Sequence, residues 1–288
     1  MTRKIFYGWV VLGAGFAIIG MGIGTLFSLG VFLKPIVEAM GWNRGAISSV
    51  AFLSWVIAGL GSFVWGILSD RFGTRAVVLS GGVLLGLGLV LSSQIVALWQ
   101  FYFTFGFMVG MGMSAFYVPL STVATKWFTA RRGLAVAIIS GGNGFGTLLV
   151  APLSRWLIST FDWRMALLVL GDLVWFVVIP AGLLLRNHPE DLGVTAYGGG
   201  SVAGQSRPEM GSRDAFRSLP FWTISITHFA CCIAHSGAIL HMVAHATDQG
   251  ISAMAAATVL GASGFAAMLG RLVTGMLADR FGAKPILV

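Results

Sequence analysis

Eight stretches of this chain are long and apolar enough to cross a lipid bilayer, at approximately 9–33, 46–68, 76–97, 99–124, 134–158, 164–186, 219–246 and 254–278. A helix needs about 20 apolar residues to traverse a hydrocarbon core of roughly 30 Å. Inside lipid every backbone N–H and C=O must find a partner within the protein, so only helices or closed barrels span. These runs are continuous rather than alternating with period two, which excludes a barrel. The sequence therefore predicts an all-α polytopic membrane protein. Only 10% of the residues are charged and 57% are hydrophobic, too little charge to cover a soluble domain. The 40 glycines fall largely inside the apolar runs, where small residues let helices approach closely. Arg3 and Lys4 precede the first run, which continues without a small-residue cleavage site and reads as an uncleaved span.

The formal charge of +8 invites a nucleic-acid reading, but its distribution along the chain argues otherwise. With the N-terminus placed in the cytoplasm, the inner segments collect Arg3, Lys4, Arg71, Arg75, Lys126, Arg131, Arg132, Arg186, Arg207, Arg213, Arg217, Arg280 and Lys284. The outer segments collect Lys34, Arg44, Arg155 and Arg164. That asymmetry is the positive-inside bias of an inner-membrane protein with a cytoplasmic N-terminus. The basic charge is topological, and no nucleic-acid partner is expected.

The chain is internally duplicated. Gly66-Ile67-Leu68-Ser69-Asp70-Arg71-Phe72-Gly73 follows the second run, and Gly275-Met276-Leu277-Ala278-Asp279-Arg280-Phe281-Gly282 follows the eighth. Six of these eight positions are identical, 209 residues apart. The same offset carries Trp9, at the start of the first run, to Ser218, at the start of the seventh. Span boundaries and loop residues thus repeat together, as in a parallel duplication. The polar stretch from Asn187 to Arg217, with Pro189, Pro208 and Gly198-Gly199-Gly200, reads as a cytoplasmic linker between the halves. The expected organisation is a six-helix bundle over 1–186, a linker over 187–217 and the first two helices of a second bundle over 218–288. On this reading eight of twelve helices are present, because the chain stops near where the third span's counterpart would begin.

Few residues inside the spans can carry chemistry. Arg271 lies eight residues before Asp279, about 12 Å up a helix from its inner end and so near the bilayer midplane. A guanidinium at that depth usually faces a water-filled path or a partner. Its planar fork of donors suits a carboxylate, and its repeat counterpart is Ser62, so the fold alone does not demand the charge. Tyr117 and Asn143, the latter within Gly141-Gly142-Asn143-Gly144-Phe145-Gly146, are polar groups at cavity depth. Each can bind substrate or simply bond a neighbouring helix. His228 and His235, seven residues apart on one helical face, are candidates for proton coupling. Asp172 is an acid well inside the sixth run, where a structural partner is expected. Cys231 and Cys232 are adjacent, poor geometry for a disulfide, and read as packing residues. No nucleophile–base arrangement, metal-ligand cluster or phosphate loop is present in the sequence. Neither metal nor cofactor is expected, nor is enzymatic activity or an ATP-driven pump.

The duplicated pattern Gly-x-Leu-x-Asp-Arg-x-Gly, at Gly66 to Gly73 and Gly275 to Gly282, resembles the signature loop of the major facilitator superfamily. A narrower likeness joins Tyr7-Gly8-Trp9, Trp127-Phe128-Thr129-Ala130-Arg131-Arg132-Gly133-Leu134-Ala135, Pro189-Glu190-Asp191 and Leu219-Pro220-Phe221-Trp222. Together these resemble the bacterial monocarboxylate-porter and oxalate/formate-antiporter branch. The resemblance implies the major facilitator fold and an eighth-helix arginine, here Arg271, that binds the substrate carboxylate. It also implies that Gly66, Asp70 and Arg71, with Gly275, Asp279 and Arg280, form latches holding the outward-open state. Two positions depart from the pattern. Thr25-Leu26-Phe27-Ser28 stands where animal monocarboxylate transporters carry a first-helix lysine, and Gly106 stands near the superfamily's fourth-helix arginine.

The expected function is secondary active transport of a small organic anion by alternating access, coupled to protons or to anion exchange, in a protein that works as a monomer in the plasma membrane. Drug efflux, sugar transport and a non-transporting sensor on the same scaffold remain open at this point.

Overall fold

The computed structural model describes residues 6–198, 212–282 and 284–287. Its helices fall where the apolar runs predict: Tyr7–Met40, Arg44–Phe72, Thr74–Ser92, Leu98–Trp127, Arg132–Thr160, Trp163–Leu183, Leu219–Asp248 and Ala253–Phe281. They are called here the first to eighth spans. Several begin on a local cap that the sequence supplies. Asn43 Oδ1 accepts from the Ala46 N–H at 2.7 Å to start the second, Asp162 from Met165 at 2.7 Å to start the sixth, and Ser252 from Ala255 at 3.3 Å to start the eighth.

Two spans are not straight. The first changes direction at Ser28, where its two helical segments meet. There the Thr25 hydroxyl donates to the Met21 and Gly22 carbonyls and Ser28 to that of Thr25, back-bonding that bends helices. The fourth widens into a π-helical segment over Tyr102–Val109 and breaks again at Ala115–Phe116. The second break leaves Tyr117 at the start of a fresh segment, Tyr117–Trp127.

The fifth span is the hub. It packs along the first span on one side and along the eighth on the other, while the third and sixth pair separately. Lipid is as apolar as leucine, so burial from water does not drive these contacts, and close van der Waals packing must. Glycines make it possible. A Cβ on Gly264 would stand 2.7 Å from the Gly144 carbonyl oxygen, and one on Gly144 would run into the Gly264 carbonyl. The main core, including Val11, Ile18, Phe32, Leu85, Phe105 and Trp127, lies mainly among the first six spans, with Ala244 of the seventh joining it. A smaller cluster of Val31, Ala151, Val243, Ala256, Ala257 and Leu260 ties the first and fifth spans to the seventh and eighth.

The segment after the sixth span, expected as linker, begins folded. Asn187 Oδ1 accepts from the Thr74 N–H at 3.0 Å, capping the third span. The Tyr197 N–H donates to the Trp127 carbonyl at 2.9 Å, and its own carbonyl accepts from Thr129 and Ala130. Its ring packs against Phe6, Trp9 and Phe128. Residues 199–211, with Gly199, Gly200 and Pro208, lie outside the described residues.

Candidate functional site

Arg271 reaches across the fifth–eighth contact. Its Nη1 donates to the Ser140 carbonyl of the fifth span at 3.0 Å. The side chain is partly buried, and among the described residues no carboxylate pairs with it. Tyr117 of the fourth span stands close enough to interact with the guanidinium electrostatically. Tyr117 is itself 47% exposed. Two of the residues singled out from sequence thus lie within electrostatic range of each other, 154 residues apart in the chain. One carbonyl satisfies part of the guanidinium fork, and the remaining donors can take a carboxylate.

Asn143 lies three residues after Ser140 on the fifth span, hence about one turn along it. Its Oδ1 is buried without a hydrogen-bond partner, and so is the Ser121 hydroxyl, one turn beyond Tyr117. A buried polar atom left unpaired is destabilising. That these two orphans neighbour the Arg271–Tyr117 pair along their helices marks the region as polar beyond what packing needs. Ser121 escaped the sequence reading, since one serine in an apolar helix carries no signal. Among the other candidates, His228 is exposed and its Nε2 is 3.6 Å from Cys232 Sγ. The His235 side chain lies outside the described residues. Cys231 is exposed and Cys232 partly buried. Asp172 is also exposed and lacks the expected structural partner among the described residues, because it lies on an outward stripe with Met165, Phe176 and Leu183.

The two signature loops differ. Asp279 Oδ1 accepts from the Gly133 N–H and Oδ2 from the Leu134 N–H, each at 2.7 Å. These are among the first backbone donors of the fifth span, which have no partner within their own helix. Arg131, just before them, is left-handed at φ 62° and does not cap them itself. A Cβ on Gly275 would lie 2.8 Å from the Gly133 carbonyl, so a glycine is needed for the approach. Gly66 differs from its repeat partner within this chain: a Cβ there meets nothing within 4 Å. Asp70 is exposed and borders a cavity of about 500 Å³ with Gly66, Lys126, Asn187 and His188. The repeat counterpart of Gly133 would be residue 342, outside these 288 residues. The arginines remain alike, with Arg71 over the Phe72 ring and Arg280 over the Phe281 ring, both 5.3 Å from the centroid.

Comparison with known proteins agrees with this architecture. Mouse (Mus musculus) monocarboxylate transporter 11 is 33% identical over 275 residues, covering 95% of this chain and 60% of its own length. Bovine (Bos taurus) monocarboxylate transporter 13 is 30% identical, covering 95% of this chain and 62% of its own. The chain thus spans about three-fifths of the length of these relatives. A solved bacterial homologue of the human lysosomal transporter Spinster, inward-facing and unoccupied, superposes with a TM-score of 0.69 at 18% identity. That match covers 98% of this chain and 64% of that one, and supports the fold alone. The Major Facilitator Superfamily profile matches residues 7–288, and the chain belongs to that superfamily.

Proposed function

We propose that the protein carrying this chain moves a small monocarboxylate anion across the plasma membrane by alternating access. One observation carries the reading. The partly buried Arg271 guanidinium is held at 3.0 Å by a backbone carbonyl, with no acid paired to it among the described residues and the Tyr117 phenol within electrostatic range. Among the described residues no acid offsets its positive charge, and a carboxylate is the ligand that its fork fits best. The names of the two relatives supply the same substrate class independently.

On this reading Arg271 anchors the carboxylate, Tyr117 donates to it and Asn143 contacts its other end. The two bundles, 1–186 and the one opening at 218, rock about this site with the linker 187–217 and the N-terminus in the cytoplasm. Asp279 holds the cytoplasmic side closed through Gly133 and Leu134. A proton, with His228 or His235 as relay, or a second anion provides the coupling, and one copy is the working unit.

The test is uptake of radiolabelled lactate, acetate, formate and oxalate by the full-length protein in proteoliposomes, with and without a pH gradient, beside Arg271→Ala. Gradient-dependent monocarboxylate uptake that the substitution abolishes supports the reading. Uptake indifferent to Arg271, or confined to uncharged solutes, overturns it.

A further inference from the structure

At the end of the bundle opposite the signature loops, a second carboxylate joins the two halves. Asp248, the last residue of the seventh span, takes Arg44 Nη1 on Oδ2 at 2.6 Å and Arg44 Nη2 on Oδ1 at 3.1 Å. Lys34 Nζ lies 3.1 Å from Oδ1. Arg44 opens the second span and Lys34 lies midway along the Leu29–Met40 segment of the first, so one acid of the second half holds two cations of the first. All three side chains are about one-third to one-half exposed. Beside them a cavity of about 260 Å³ is lined by Lys34, Glu38, Arg155, Val243, Thr247 and Ile251. Arg155 is partly buried there and has no acid partner among the described residues.

We propose that Lys34 and Arg44 form a carboxylate-binding site at the mouth of the transport path, and that Asp248 is its tethered occupant when that mouth is closed. The identity of the ligand rests on the anion reading above. The geometry is that of ligand recognition: a planar fork meets both oxygens of a carboxylate while an ammonium takes one of them again. Exposed ion pairs are individually weak, which a contact that must open and close requires. When the seventh span swings away, both cations lose Asp248, and among the described residues Glu38 alone then faces Lys34, Arg44 and Arg155 beside the cavity, which leaves a net positive surface. A free carboxylate then offers them the same group. A tethered acid competes at an effective concentration in the roughly millimolar range, so substrate at comparable concentration displaces it. Because the anion binds only the state in which Asp248 has left, it shifts the population toward the open mouth.

The test uses the full-length protein in nanodiscs, with Cys231→Ser and Cys232→Ser, spin-labelled at Ser49→Cys and Gln249→Cys. Pulsed electron paramagnetic resonance reads the distance between the two ends. Without anion the short distance dominates, and sodium acetate, but not equimolar sodium chloride, moves the population to the long one. Asp248→Asn reduces the short-distance population by about threefold, the size expected of an exposed ion pair, and makes it insensitive to acetate. The charge swap Arg44→Asp with Asp248→Arg restores the short distance. An Asp248→Asn distribution equal to that of the parent overturns the proposal, and so does a parent distribution that acetate leaves unchanged. Failure of the anion reading is separate: a parent that takes up no labelled carboxylate sinks that reading, while the Asp248→Asn distances still decide whether this contact closes the mouth.

Discussion

The Asp279 carboxylate and the Gly133 N–H meet at 2.7 Å, and the other carboxylate oxygen takes the Leu134 N–H at 2.7 Å, so the eighth span caps the fifth from outside. A carboxylate at a helix N-terminus satisfies orphan donors and lies favourably in the helix dipole. Asp279→Ala is expected to weaken this end of the interface by about 1 kcal/mol, as for loss of an ordinary N-cap. Asp279→Asn keeps one acceptor and falls between. Asp70→Ala, with no such partner among the described residues, leaves the stability of this chain unchanged. Thermal melting of the three variants in detergent checks the order, and an Asp70→Ala loss equal to that of Asp279→Ala contradicts it.

The glycine pair Gly144 and Gly264 sets how closely the fifth and eighth spans approach. A Cβ on either meets the other's backbone carbonyl, which cannot yield as a flexible side chain would. Gly144→Ala should therefore cost about 1–3 kcal/mol, the range for overpacking. Gly66→Ala meets open space and should stabilise its helix by roughly 0.5–1 kcal/mol. Opposite signs for these identical substitutions, read from denaturation midpoints, are the expected result. Equal effects would mean that the fifth–eighth packing is looser than this geometry.

Asp172 is exposed near the middle of the sixth span, on its outward stripe. An acid facing lipid at the helix centre is disfavoured by roughly 2.5–3.5 kcal/mol on an insertion scale. Asp172→Leu should raise thermal stability in nanodiscs and leave carboxylate uptake by the full-length protein unaltered. Lost uptake with unchanged stability would instead place this carboxylate in the coupling mechanism.

The helices were legible because lipid demands runs of apolar residues, and Asn43, Asp162 and Ser252 mark starts that a sequence can show. The repeat at Asp70 and Asp279 announced two loops of one kind, yet only coordinates distinguish a carboxylate seated on Gly133 and Leu134 from one facing a cavity. The site divides in the same way. A lone arginine within an apolar run is conspicuous, whereas its acceptor is the Ser140 carbonyl, a backbone atom that every residue possesses. The Asp248 contact was illegible for a related reason. Three charges at span ends look like topology, and their convergence depends on how the first, second and seventh spans lean together.

Arg271 and Tyr117 should contribute unequally to transport. Arg271→Lys keeps the charge but loses the fork that simultaneously holds the Ser140 carbonyl and a carboxylate. Hydrogen bonds to charged groups contribute about 1.5–3 kcal/mol, so KM for the anion should rise by roughly ten- to a hundredfold. Tyr117→Phe removes one phenol at the edge of the site and should raise KM by about three- to tenfold, with folding unaffected because that side chain is half exposed. If the phenol acts on substrate through the guanidinium, the double variant should cost less than the two single effects combined. Strict additivity in KM would mean that the two side chains act on separate parts of the substrate, and an unchanged KM in Arg271→Lys would remove the fork from the binding argument.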